Sequence, residues 1–241
     1  KKKIAEVLKD LLNLDYSAFY RETVTKMNEP ILIEEEVLPN IILLPSYGTK
    51  SMMWQELVGT NKRSRARIVF PCFFMGDLKR SMAHSVASFR WELNRTLQGA
   101  MWADPVEGGL TGAYYDYVQF FRKNSKLSTE AKDKLHERIK AVRNNMRELF
   151  CEDYIMWVTY ECEGTMKLNS VVRDIFYRNI PFKREIREKL ETMPAFIELA
   201  NKFKNVRTRK YNEFSRKFKK YEDAAGNLPP SFAAYMNFLR M

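Results

Sequence analysis

The sequence predicts a mainly α protein: an irregular multi-helix domain around one long central helix, with a few short strands or extended segments near residues 31–74. Three observations predict it. An apolar stripe at helical spacing runs from Leu135 to Tyr160. Nine prolines and nine glycines in 241 residues are too few for a loop-rich or low-complexity chain. Short apolar runs bounded by proline cluster near residues 31–74.

The central stretch is Ser128–Gly164. Ser128 or Thr129 supplies an N-cap oxygen, and Glu130 and Asp133 sit near the positive end of the helix dipole. Leu135, Ile139, Val142, Met146, Phe150, Trp157 and Tyr160 then keep one face at ~100° per residue. Gly164 stands where a left-handed residue ends a helix. Read as one rod, the stretch is about 50 Å long. The competing reading ends the helix near Asp153 and makes Tyr154–Tyr160 a strand, because that segment is rich in β-formers.

In chain order, Ile4, Val7, Leu8, Leu11 and Leu12 make an amphipathic helix, and Tyr16 to Met27 can continue helically towards Pro30. Pro30, Pro39 and Pro45 bracket two apolar patches, Ile31–Ile33 and Ile41–Leu44, which read as short strands with the acidic run Glu34–Glu36 as a solvated connection. Lys50–Leu57 reads as a short helix, residues 61–67 as a basic loop, and Ile68–Phe74 as a buried strand interrupted by Pro71. Asp77–Gly99 is a second good helix, capped by Asp77. Tyr114, Tyr117, Val118 and Phe121 form a short aromatic helix after a glycine-rich loop. Beyond Gly164 the chain reads as helices broken by Pro181 and Pro194, then a basic helix from Ala195 to Tyr221 and a final apolar segment. The organisation is a mixed part, 1–125, and a basic helical part, 126–241, packed as one compact domain.

Charge separates the two parts. The net charge is +11; residues 1–120 hold 15 Lys/Arg against 14 Asp/Glu, and residues 121–241 hold 26 against 16. The excess of +10 in the second half permits an acidic partner. Lys202, Arg209, Arg216 and Lys220 fall within ~40° of one another on the basic helix, with Arg207 and Lys210 beside them. These six are the candidate anion- or nucleic-acid-binding residues, through phosphates and not base edges, since no base-reading signature accompanies them. The competing reading is a solvated helix face.

Catalytic, cofactor and metal signatures are absent from the sequence pattern. His136-Glu137 starts a zincin-like motif, but Lys140 occupies the second histidine position. His84 has Ser81 and Ser85 nearby without an evident orienting group. Asp153 lies on the apolar stripe and requires a cationic partner from another element. Cys72, Cys151 and Cys162 are scattered and odd in number, which fits a reducing cytoplasm. No apolar run approaches the ~18 residues of a membrane span.

Three stretches carry a family likeness: SYGTKSMMWQEL, FRWELNRTLQGAMWAD with YYDYVQFFRKN, and MKLNSVVRDIFYRNIPFKREIREKL. Across residues 45–215 the chain resembles the C-terminal helical region of large bacterial proteins that carry a cyclic-nucleotide-binding domain. The resemblance implies a cytoplasmic regulatory module. It carries over no ligand residues: after Gly76-Asp77-Leu78 the Arg80 comes too soon for a cyclic-nucleotide phosphate cassette. The sequence thus points to a non-enzymatic regulatory or scaffolding module that contacts a protein partner or a second copy of itself, with nucleic-acid binding as the alternative.

Overall fold

The computed structural model describes residues 2–24, 32–54, 66–104, 109–225 and 229–241. Helix α1 (Lys2–Leu14) buries Ile4, Val7 and Leu11, one stripe at spacings of three and four. The predicted continuation as helix does not occur. Asp15 is buried and accepts from the Ser17 amide and hydroxyl, which turns the chain. Strand β1 (Tyr20–Val24) follows and pairs antiparallel with β2 (Leu32–Glu36), Tyr20 opposite Glu36. The acidic run Glu34–Glu36 therefore lies within β2 and is not a connection, although Glu35 and Glu36 are exposed.

A second sheet contains β3 (Asn40–Gly48), β4 (Met52–Trp54) and β5 (Arg67–Phe74) in the order β3-β5-β4. β3 runs parallel to β5, and β4 runs antiparallel to it. Residues 50–54 are thus not helical as predicted; β-branching is absent, but pairing with β5 decides the outcome. The basic loop at 61–65 lies outside the described residues. The sheet rests on α2 (Leu78–Gln98), whose Met82, Val86, Ala87 and Phe89 are fully buried. Asp77 caps α2 as expected, accepting from the Arg80 amide at 2.9 Å.

Helix α3 (Gly109–Gln119) packs on α2 and on α6 (Ser170–Asn179). Gly112 lets the backbone at Asp104 lie against α3, because a Cβ there would run into the Asp104 carbonyl oxygen. Ser128 does cap the next helix, α4 (Thr129–Ala141), accepting from the Ala131 amide.

The single central rod is overturned. α4 ends at Ala141, and Arg143 and Asn144 take left-handed φ values of 52° and 60°. Asn145 then caps a new helix, α5 (Met146–Thr159), accepting from the Glu148 amide. A 3-10 turn, Glu161–Glu163, and Gly164 at φ 88° close the segment. The Asn144-Asn145 pair supplies the physical reason: asparagine tolerates the left-handed region and is a strong N-cap. The strand reading of Tyr154–Tyr160 fails as well, since α5 continues to Thr159.

After α6 come α7 (Arg184–Leu190), the 32-residue α8 (Pro194–Ala225) and α9 (Pro230–Arg240). The first third of α8 joins the main core through Phe196, Ala200 and Phe203. Its later part packs on α9, which in turn packs on β2, with Tyr16, Ile33, Phe214, Phe232 and Phe238 in a second, smaller apolar cluster. The main core is strongly aromatic: Trp157 stacks on Phe182 at 4.3 Å, and Trp91, Tyr114, Phe150 and Phe176 meet edge-on or tilted.

Candidate functional site: a bare sheet face and a basic helix

The register of the second sheet fixes which side chains share a face. Ile42 lies beside Val69, Leu44 beside Pro71 and Tyr47 beside Phe73; Met52 lies across from Val69 and Trp54 across from Arg67. Residues paired across a ladder project to the same side. Ile42, Leu44, Tyr47, Met52, Trp54 and Phe73 therefore make one continuous face, and all six are exposed, from 37% for Ile42 to 72% for Tyr47. Tyr47 stacks on Phe73 at 4.7 Å. The Arg67 guanidinium lies 5.9 Å from the Trp54 ring centre and is the one charged group of this face among the described residues.

The opposite face of the sheet carries Ile68 and Phe70, both fully buried. A sheet with one packed face normally alternates apolar and polar residues; a parallel pair apolar on both sides is normally covered on both. Here the second cover is missing among the described residues. Pro45 fits an edge strand. The Asn40 amide donates to the Ala66 carbonyl, so by alternation the amide positions of Ile41, Leu43 and Pro45 face the open edge of β3. The unbroken apolar runs of β3 and β5 were the sequence signal for this two-sided character.

The basic helix forms as expected, but its six candidate residues separate. Lys202 is paired with Glu198 at 2.6 Å. Arg207 turns inward: it donates to the Leu239 and Phe238 carbonyls and to the Tyr16 hydroxyl, and lies over the Phe203 and Phe238 rings. It fastens α8 to α9 and does not face solvent phosphate. Lys210 points to a cavity on the body side of α8. Arg209, Arg216 and Lys220 remain exposed along an open depression with Asn205, Thr208 and Asn212, and none of the three is in an ion pair among the described residues.

The groups weighed for catalysis are engaged structurally. Asp153 is fully buried; its Oδ1 accepts from Arg138 at 2.6 Å and its Oδ2 from the Tyr114 hydroxyl at 2.6 Å. Burial pushes the Asp153 carboxyl and the Tyr114 phenol above their ordinary ranges. The partner required by the sequence is therefore present, but on α4, which only the break brings back over α5. In an unbroken helix Arg138 and Asp153 would stand about 22 Å apart. Ser81 and Ser85 bond to Ser51, each at 2.6 Å, and tie the β3–β4 turn to α2. The group missing beside His84 is Glu148, which meets its Nε2 at 2.8 Å. No hydrogen bond joins that pair to the serine contacts among the described residues, and none of the described cavities is lined by it.

Two further buried ion pairs act as bolts. Arg90 bridges Asp15, Ser17 and the Asn179 carbonyl, with Tyr154 also donating to Asp15. Glu161 accepts from Arg173 and from the Lys167 and Leu168 amides. The three cysteines are free, with Cys72 exposed. Among the described residues no group of three His, Cys, Asp or Glu side chains could hold a metal ion, and no helix is long and apolar enough to cross a membrane.

Fold and surface together define a mainly α protein that offers one bare apolar sheet face and one basic helix face. Residues 99–238, more than half of the chain, match the family described as a domain of unknown function, DUF8509, and the chain belongs to that family. No curated protein and no solved structure matches it. The match covers α3 to α9 and leaves the bare sheet outside it.

Proposed function

We propose that the protein is a non-enzymatic cytoplasmic scaffolding or regulatory module that works by protein–protein contact, and that the outer face of the β3-β5-β4 sheet is its docking surface, occupied by a second copy of the chain. The observation that carries this is the exposure of six large apolar side chains on one face of a sheet. With roughly 150–250 Å² per bulky side chain, their exposed fractions amount to on the order of 700 Å². A partner contributes ~800 Å² to a standard interface. The composition is that of an interface centre, with Tyr, Trp, Phe and Met present, one arginine and no carboxylate. A face without like charges can meet its own copy about a twofold axis. Free thiols suit the reducing compartment.

Light scattering after size-exclusion chromatography tests this reading. The chain should elute as a dimer, and Tyr47→Glu with Phe73→Glu should elute as a folded monomer. A strict monomer at about 100 µM, a hundredfold above a micromolar Kd, would overturn it.

The outer face of α8 supports a second reading, contact with phosphate backbones through Arg209, Arg216 and Lys220. Single-stranded nucleic acid should then be retarded at low salt and released as salt rises. Retardation that persists after all three residues are changed to Glu would dismiss it.

A further inference from the structure

A cavity of about 350 Å³ lies where the end of α3, the 3-10 turn after it, α4 and the start of α5 meet. Its walls are apolar. Ile139, Val142 and Met146 come from the stripe that runs through both helices, and Val118, Phe121 and Leu149 complete the lining. The last three are buried, but Ile139, Val142 and Met146 are only half-buried. The left-handed pair Arg143 and Asn144 is the cause. It folds α4 back so that Arg138 reaches Glu152 and Asp153, and the stripe bends around a hollow instead of lying along one covered surface.

The rim is polar and holds no carboxylate among the described residues. Lys140 is engaged by Glu137 at 3.1 Å, and Asn145 spends its side-chain oxygen as the cap of α5. Arg122 is different. It makes no ion pair and no hydrogen bond among the described residues, and its guanidinium lies 5.7 Å from the centre of the Phe121 ring. His136 lies on the same ring, nearly parallel to it, and its nitrogens are likewise unengaged among the described residues. The side chains of Gln119 and Asn144 complete a set of free polar groups around an apolar hollow. Apolar walls with a few convergent polar groups are the make-up of a small-molecule site.

We propose that this cavity binds a small organic acid, one carboxylate on an apolar body. One guanidinium without a counter-charge matches one monoanion, and its planar fork meets a carboxylate through two parallel N–H···O bonds. The body covers Ile139, Val142 and Met146, which supplies the hydrophobic part of the affinity. Size limits that body to a ring or a short chain, since small-molecule pockets run from ~300 to ~1,000 Å³ and this one is at the lower end. The lining, from Val118 to Leu149, falls inside the segment that matches the family, and the bare sheet falls outside it. The inference therefore goes beyond the docking reading and stands without it.

Titration of the full chain, labelled with ¹³C at the methionine methyl groups, tests the proposal. Met146 is the reporter, its signal assigned with Met146→Leu. The probes are 4-phenylbutyrate and octanoate, with 4-phenylbutanamide as the neutral counterpart of the first. Both acids should move the Met146 signal saturably, with Kd values of about 1 mM or below. The tighter of the two identifies the body as flat or linear, and either supports the site. The amide should bind at least about tenfold more weakly than its acid. Arg122→Gln should bring the acid down to the level of the amide and leave the amide unchanged. Lys9→Gln, which removes the same charge on α1, outside the lining, should change neither. Val142→Phe, which fills the space, should abolish binding of all three if it folds; if it does not, Arg122→Gln, an exposed side chain, decides the matter. No saturable shift by either acid at about 10 mM, equal affinity for acid and amide, or undiminished preference for the acid in Arg122→Gln would overturn the assignment. So would a Met146 signal that moves with protein concentration alone and not with probe, which would give the hollow to a second copy of the chain.

Discussion

Arg143 holds a left-handed backbone at φ 52° with an exposed side chain that makes no ion pair among the described residues. Only glycine adopts that conformation without a steric cost. Arg143→Gly should therefore stabilise the protein, by about 0.5–1 kcal/mol, measured as a rise in the urea midpoint. In an uninterrupted helix the same change would cost about 1 kcal/mol, so the sign of the effect reports whether the break exists. At this scale the sequence was informative where local chemistry decides. Ser128, Asp77 and Gly164 act as cap, cap and stop because their roles need only their immediate neighbours. Asp153 was recognisable as a buried carboxylate in need of a cation, but Arg138 was not recognisable as that cation, since the pairing depends on a turn between them. The inward course of Arg207 was equally hidden, because its acceptors come from α9, some thirty residues away.

At the scale of elements, helices with one apolar stripe were legible and the surroundings of the sheet were not. α2, α6 and α8 follow from periodicity and punctuation alone, while α9 was read only as an apolar segment. The α4–α5 break did not, because the apolar stripe keeps its phase through Val142 and Met146, and a helical period cannot distinguish one helix from two whose stripes face the same core. Asn144-Asn145 was the local signal. β1 was missed for a different reason. Tyr16, Phe19 and Tyr20 have helix-compatible spacing, and the turn is set by Asp15 bonding to Ser17 and to Arg90, which lies 75 residues further on. The second sheet was anticipated as short strands near residues 31–74, and β4 departs only because its partner β5 follows it in the chain. The bare face itself was unreadable: an apolar run in a sequence does not say which of its two sides the rest of the molecule will cover.

For the whole molecule, the aromatic core makes the fold sensitive to alkali. Burial holds thiols and phenols of the core in their protonated form. Burial pushes the Cys151 thiol up to about 12 and the Cys162 thiol to about 11, from an ordinary 9.0. It raises the Tyr177 phenol to about 12 and the Tyr114 and Tyr154 phenols well above their usual 10.0. Each group is more easily ionised in the unfolded chain than in the fold. Their contribution to stability is thus complete below pH 9 and is lost as pH rises through the folded values, towards 11 and 12. Urea midpoints measured from pH 8 to 12 should be level at first and then fall steeply. Tyr177 isolates one proton from this sum, because its hydroxyl is buried without a hydrogen-bond partner among the described residues and Tyr177→Phe removes it without breaking a bond to any of them. Between pH 10 and 12 the variant should lose stability less steeply than the native chain, by up to ~1.4 kcal/mol per pH unit. Parallel curves for the two proteins would mean that Tyr177 ionises as readily inside the fold as outside it, and that the packing of α6 against α8 at Phe196 and Phe203 is looser than its ring contacts of about 6 Å imply.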